Sequence, residues 1–272
     1  PAATPEKRSL PRAGKPAASS PRQAVPSQTG IAATAAEGPA AATELGQNST
    51  STATMPSEMP PQPLLPASGT IRFALYKESI NFPVGRAEHH WEFDGQGNYR
   101  LRGMTETSGL VALFKSVRLQ TESAGRLTSG GLQPESYRVL RNGADTNESA
   151  DFDWVRQEVR LARDGSVQAI APGSQDMLSL AYQLAYLPHP ENGAAIGVVT
   201  GKKYERYALD SLGEEEIVTP AGTFRTLHLR AMTDNVTEIW IALDHYRLPV
   251  KIRFTDRKGD TYVQVATETG TP

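Results

Sequence analysis

The chain contains no cysteine. That absence excludes disulfides, thiol catalysis, cysteine-ligated metal and a lipidated N-terminal cysteine within these residues, and leaves the redox compartment open. Aromatic residues are missing from the whole first stretch, since Phe73 is the first Phe, Tyr or Trp of the 272 residues. No apolar run approaches the roughly 20 residues that a membrane-spanning helix needs. An excess of charge of one sign is lacking too. The formal net charge is -2, which offers no electrostatic case for nucleic acid as a partner. The chain starts at Pro1 rather than Met, so a signal or a membrane anchor is expected upstream of Pro1.

What is present divides the chain in two. Of its 20 prolines, 12 fall before Ser68. A Pro-, Ala-, Ser- and Thr-rich segment without aromatics cannot bury enough apolar surface to offset the entropy of ordering it. Residues 1–68 are therefore expected to be a disordered tether and 269–272 a disordered tail. Residues 69–268 are expected to form a single antiparallel β domain. Within the tether, Pro56–Pro63 favours extended polyproline II, and 68 residues of random coil span about 45 Å. The basic cluster Lys7, Arg8, Arg12, Lys15 and Arg22 reads as ordinary solvated linker charge, with attraction to an anionic membrane surface as the alternative.

From Ile71 onward the signal is alternation of period two. Ile71, Phe73 and Leu75 alternate with Arg72 and Ala74, and Ala87, His89, Trp91 and Phe93 alternate with Glu88, His90 and Glu92. Asp94–Asn98 makes a turn into a return strand from Tyr99. Further alternating runs follow, separated by Ser129-Gly130-Gly131, Asp164-Gly165, Thr219–Gly222 and Asp256–Gly259. Ten or more strands at this spacing predict a mainly β fold, one large curved antiparallel sheet or an open barrel. One segment breaks the period. Across 174–187, Met177, Leu180, Ala181, Leu184 and Leu187 share a helical face that Leu178, Tyr182 and Tyr186 widen. Ser174 is the expected N-cap and Pro188 the stop. A helix apolar on most sides must be buried, so this one is expected in the concavity of the sheet. A second short helix is expected at about 108–114. Pro249, inside a strand pattern, argues for an edge or a bulge.

The chemistry-bearing residues form no catalytic pattern. His89 and His90 are adjacent on a strand and must point to opposite faces. His189, His228 and His245 have no neighbours at ligand spacing, and HExxH is absent. There is no GxSxG elbow. Gly197–Lys203 differs from a P-loop in its spacing and in having Lys203 where Ser or Thr should hold magnesium. Asp151 and Asp153 share a strand face beside Trp154, as alternating acids on a wet strand do. No catalytic residue, cofactor-binding residue or metal ligand is expected, and no cofactor.

Several stretches together resemble bacterial domain of unknown function family 3108. They are Tyr76 with Pro83-Val84-Gly85, Gly131–Pro134 with Tyr137, Phe152-Asp153-Trp154, Gln175-Asp176 through Ser179 to Tyr182, Thr219–Gly222, and Glu238-Ile239-Trp240 through Asp244 to Leu248-Pro249-Val250. The resemblance implies an exported protein of the Gram-negative envelope and transfers no activity. More distantly, Trp240 and Asp244 followed by Leu248-Pro249 and an alternating strand look like the lipoprotein-carrier superfamily. That likeness implies a curved sheet wrapped around helices and an apolar cavity.

Three functions remain open. The first is a non-enzymatic periplasmic envelope protein whose curved sheet binds a lipid-like ligand or a protein partner. The second is a tethered module that contacts cell-wall polymer or an envelope complex without a small ligand. The third is an enzyme. Met177, Leu180, Leu184 and Trp240 are the candidate cavity lining. Arg247, Lys251, Arg253, Arg257 and Lys258, on the last hairpin, are the candidate ligand or partner surface, with a charge-protected sheet edge as the alternative.

Overall fold

A computed structural model describes residues 62–80, 82–109, 112 and 116–270. The expected tether up to residue 61, the last two residues of the expected tail and most of the expected helix at 108–114 lie outside them. The described residues belong to the second of the chain's two units, Pro56–Pro272.

Among the described residues, alternation becomes sixteen strands. They are β1 (Ser68–Lys77), β2 (Pro83–Phe93), β3 (Asn98–Thr107), β4 (Arg118–Thr128), β5 (Gly131–Arg141), β6 (Ala144–Asp145), β7 (Ala150–Asp153), β8 (Glu158–Leu161), β9 (Val167–Ala169), β10 (Gln175–Asp176), β11 (Ala194–Val199), β12 (Tyr204–Thr219), β13 (Gly222–Met232), β14 (Val236–Ala242), β15 (Pro249–Thr255) and β16 (Thr261–Gly270). All join one sheet in the order β10-β11-β12-β13-β14-β15-β16-β1-β2-β3-β4-β5-β7-β8-β9, with β6 a side branch on β5. The pairing of β16 with β1, Phe73 opposite Ala266, zips the two ends of the domain together. The two open edges, β9 and β10, are neighbours in sequence, so the sheet has curled until its edges face each other. Side chains bridge the seam. The Tyr204 hydroxyl accepts from the Ala171 N–H at 3.0 Å and lies 3.0 Å from Ser174 Oγ, while Gln168 Oε1 accepts from the Tyr204 N–H at 3.3 Å.

The face turned inward carries the core. Ile71, Phe73, Trp91, Leu101, Val139, Leu161, Leu229, Ile239 and Ile241 are buried there together with Leu180, Tyr182 and Leu184 of the non-strand segment. Each such side chain contributes about 1.5–3 kcal/mol on leaving water. That segment does fill the inner face, but it is shorter than its periodicity suggests. The α-helix is Ser179–Gln183, continued by a 3-10 turn at Leu184–Tyr186, and Gln175 and Asp176 are taken into β10. Ser174 is not its cap, because its hydroxyl donates to the Ala171 carbonyl at 2.7 Å. Period-2 pairing with β11 captures the first residues of the run before helix can propagate through them.

Leu65 is buried in the core, and Pro66 and Ala67 accept hydrogen bonds from Trp91 Nε1 and the Phe93 N–H. Thr269 and Gly270 pair with Ile71 and Thr70. Pro249 marks a bulge, the register shifting between Trp240 and Ile241 where it pairs. It does not mark an edge, because β15 is hydrogen-bonded to β14 on one side and β16 on the other.

Candidate functional site

The inner face carries titratable groups that burial shifts, and Asp176 and His89 are both bonded to the chain itself. Asp176 is fully buried. Its Oδ1 accepts the N–H groups of Leu178 and Ser179, both at 2.8 Å, and its Oδ2 accepts the Ser123 hydroxyl at 2.6 Å. Ser179 Oγ in turn accepts the Asp176 N–H at 2.9 Å. This is the reciprocal pairing of a capping box just ahead of the helix. Burial outweighs these bonds and pushes the carboxyl up to about 6. His89 Nδ1 lies 3.1 Å from the Tyr182 hydroxyl, and burial holds the imidazole down at about 4. A serine donating to a carboxylate has the makings of a nucleophile. Here no imidazole stands between them, and neither Ser123 nor Asp176 has any exposed surface. The constellation fastens the helix to β4 and offers a substrate nothing to approach.

Amide side chains complete the fastening. Gln183 Oε1 accepts the Leu132 N–H at 2.7 Å while its Nε2 donates to the Gly130 carbonyl at 2.8 Å. Gly131, with φ of 100°, permits this, because a Cβ there would sit 2.4 Å from Gln183 Oε1. Gln175 Nε2 donates to the Leu132 carbonyl. Arg247 Nη1 donates to the carbonyls of Ala185 and Leu187 at 3.2 and 2.9 Å, satisfying the helix's C-terminal end.

Of the expected cavity lining, Leu180 and Leu184 are core residues and Met177 packs at the margin of the core, its sulfur 3.6 Å from the Tyr207 hydroxyl. Trp240 is not with them. The alternation that buries Ile239 and Ile241 inward sends Trp240 to the opposite face. There His228 stacks on its ring at 3.9 Å and Lys251 Nζ lies 4.1 Å from the ring centroid. Its Nε1 donates to Glu215 at 2.5 Å. His228 also stands 3.1 Å from Glu215 and 3.3 Å from Glu238, the latter off the hydrogen-bonding direction, and burial lowers its pKa against the pull of both carboxylates.

Three of the five residues of the expected cationic surface have partners within the chain. Arg247 holds the helix end, Lys251 covers Trp240, and Arg253 is shared between Glu78 and Glu238. Arg257, its side chain largely exposed, lies 3.7 Å from Asp234, and Lys258 enters the turn through its main-chain N–H, which donates to Asp256. Cross-strand pairing puts acids opposite the bases, Glu238 facing Arg253. Sequence alternation shows which face a residue takes and leaves out what stands across from it.

Sequence reading missed the concavity on the outer face. Ala87, Trp91, Leu101, Tyr137 and Val139 point inward, so the residues between them point out, and there β2 to β5 form a cleft of about 570 Å³. One row across it is His90, Arg102, Glu122 and Arg138, directly opposite one another on successive strands. The next row is Glu88, Met104, Gln120 and Leu140, with Asp145 of β6 paired to Leu140. The β6 branch and Ser149 form one wall. Arg102 is held by Glu92 at 2.8 Å and Glu122 at 3.2 Å, Arg138 by Asp151, and Glu88 by Arg72 at 2.8 Å. No strand period announces a cleft formed by sheet coiling and a two-residue side branch.

Residues 70–266 match the family model described as a protein of unknown function, DUF3108. A comparison with curated proteins gives no match. Among solved structures, a β-barrel-like protein of domain of unknown function DUF1849 from Brucella abortus overlaps at a TM-score of 0.50 and 9% identity, over 76% of this chain and 98% of that one. That is a shared fold. The MucA/MucB complex of Pseudomonas aeruginosa overlaps at 0.30 and 12% identity, over 74% of this chain and 50% of the other. A domain assigned to outer membrane lipoprotein sorting from Vibrio parahaemolyticus overlaps at 0.25 and 8%, over 75% and 84%. These two agree only in outline.

Proposed function

The chain belongs to the DUF3108 family of proteins of unknown function, and from that premise we propose that it is a non-enzymatic binding module of the cell envelope, taking its ligand or partner in the outer cleft of the sheet. The observation that carries this reading is the state of the two faces. The inner face, where a lipid-like ligand would have to lie, is occupied by the chain's own helix, with Leu180, Tyr182 and Leu184 buried and polar ties at both ends. The outer face keeps a cleft of about 570 Å³, within the usual range of small-molecule sites. The envelope setting is supported by the export that the family resemblance implies and by the Pro-rich stretch ahead of the domain. Native mass spectrometry of the protein from envelope extracts tests the reading. The expected spectrum carries no acyl lipid, and a bound lipid would show that the helix yields its place and that the inner face is the site.

A further inference from the structure

The open strand edges of this sheet differ in what covers them. Where β5 runs on past β7, its edge is filled from within. The Leu132 N–H and C=O bond to the side chains of Gln183 and Gln175, and the Pro134 carbonyl accepts Trp154 Nε1 at 2.7 Å. β12 has no such cover. β11 pairs with it only as far as Leu209, opposite Ala194, while its pairing with β13 continues to Thr219. From Leu212 to Val218 the far side of β12 has no strand beside it among the described residues, and all of these residues but Ile217 are exposed. On an antiparallel strand every second residue turns its N–H and C=O away from the neighbour. This length of β12 therefore presents a row of backbone donors and acceptors to water.

The side chains along the row carry one sign. Residues 210–218 include Asp210, Glu214, Glu215 and Glu216 and no Lys or Arg. Glu215 is taken up by Trp240 and His228, and Glu214 shares Arg225 with Asp244. Glu216 lies across from Arg225 in the register, but the guanidinium turns to Glu214 and Asp244, and among the described residues no cation stands within 4 Å of Glu216. Two residues on, and so on the same face of the strand, Val218 is 79% exposed.

We propose that this edge of β12 takes up a strand from another protein. The segment it fits is extended, with lysine or arginine at the position facing Glu216 and an apolar residue at the position facing Val218. Main-chain hydrogen bonds supply the affinity and the side chains select the partner. The site is separate from the cleft on β2 to β5 and stands or falls without it. A second copy of the chain is the wrong occupant, because a two-fold pairing centred on residues 214–216 sets glutamates against glutamates, and like charges directly opposite are destabilising.

The test is amide hydrogen exchange of the 15N-labelled full chain with three acetylated heptapeptides. One alternates valine with lysine, one alternates valine with glutamate, and the third is the lysine peptide N-methylated at every residue. The lysine peptide is expected to bind saturably and to slow exchange between Leu212 and Val218. Glu216→Lys should weaken that peptide about 5-fold, the scale of reversing one cross-strand charge pair, and should strengthen the glutamate peptide. Unchanged amide shifts outside β12 and β13 verify that the variant is folded. Equal binding of the N-methylated peptide would reduce the effect to charge alone and overturn the inference. Protection on β2 to β5 in place of β12 would overturn it too. Protection of β12 that rises with protein concentration in the absence of peptide would assign the edge to a second copy and likewise sink it.

Discussion

The two faces of this sheet use polar residues in opposite ways. On the inner face Asp176, His89, Gln175 and Gln183 are buried, and each is bonded to a partner on the chain that holds the helix. On the outer face arginines and glutamates form cross-strand ladders in partial contact with water, Arg72 with Glu88 and Glu268, Arg102 with Glu92 and Glu122. Burial makes the first set costly to disturb, since a buried group stripped of its partner keeps its full desolvation penalty. Screening makes the second set individually weak. The inner polar groups therefore determine how the chain is held, and the outer ones cost little to disturb one at a time.

The largest expected effect contrasts two leucines. Leu184→Ala, at a site with no exposed surface, should cost about 2–5 kcal/mol in denaturant unfolding. Leu140→Ala, in the half-exposed cleft, should cost about 1 kcal/mol or less. Equal losses would erase the distinction between the faces. A loss near 1 kcal/mol at Leu184, with the helix exchanging amide hydrogens before the sheet, would mark the helix as a lid.

Acid–base behaviour gives a second contrast, inside the inner face. Asp176 has a folded pKa of about 6 against an ordinary 3.8, so its neutral form stabilises the fold fully below about pH 3.8, and this is lost as pH rises through 6. His89 is reversed, with a folded pKa of about 4 against 6.5. Its neutral form stabilises above about pH 6.5, and this is lost as pH falls through 4. Each is worth about 3 kcal/mol at 1.36 kcal/mol per unit, and between pH 4 and 6.5 the slopes oppose. Asp176→Asn should leave stability rising with pH across that window, and His89→Gln should leave it falling. Unfolding curves for either variant that run parallel to the wild type would show that the substituted group titrates alike folded and unfolded.

Next in size is Gln183→Ala, which strands the buried Leu132 N–H and should cost about 1–3 kcal/mol. Its outer counterpart is Arg102→Ala, which should cost about 0–1 kcal/mol and less at high salt, because both its carboxylate partners are exposed. A salt-independent loss at Arg102 above 2 kcal/mol would show that the outer ladder, too, is structural.

Much of this architecture was legible in the residues. Period-2 alternation determined the sheet, the separation of His89 from His90, and the inward run of Ile71, Phe73, Trp91 and Leu101, because side chains on a strand have only two directions. The apolar excess of 174–187 determined that this segment must be buried, and Pro249 that its strand must be irregular. Tertiary structure alone decided what faces what across strands. The register set Glu238 beside Arg253, put Trp240 under Lys251 on the face away from the helix, and drew Gln175 and Asp176 out of the helix into β10. The cleft has the same origin. Its lining comes from strands up to about 60 residues apart in sequence, from Glu88 to Ser149, and its depth comes from the coil of the sheet, which no local pattern of residues encodes.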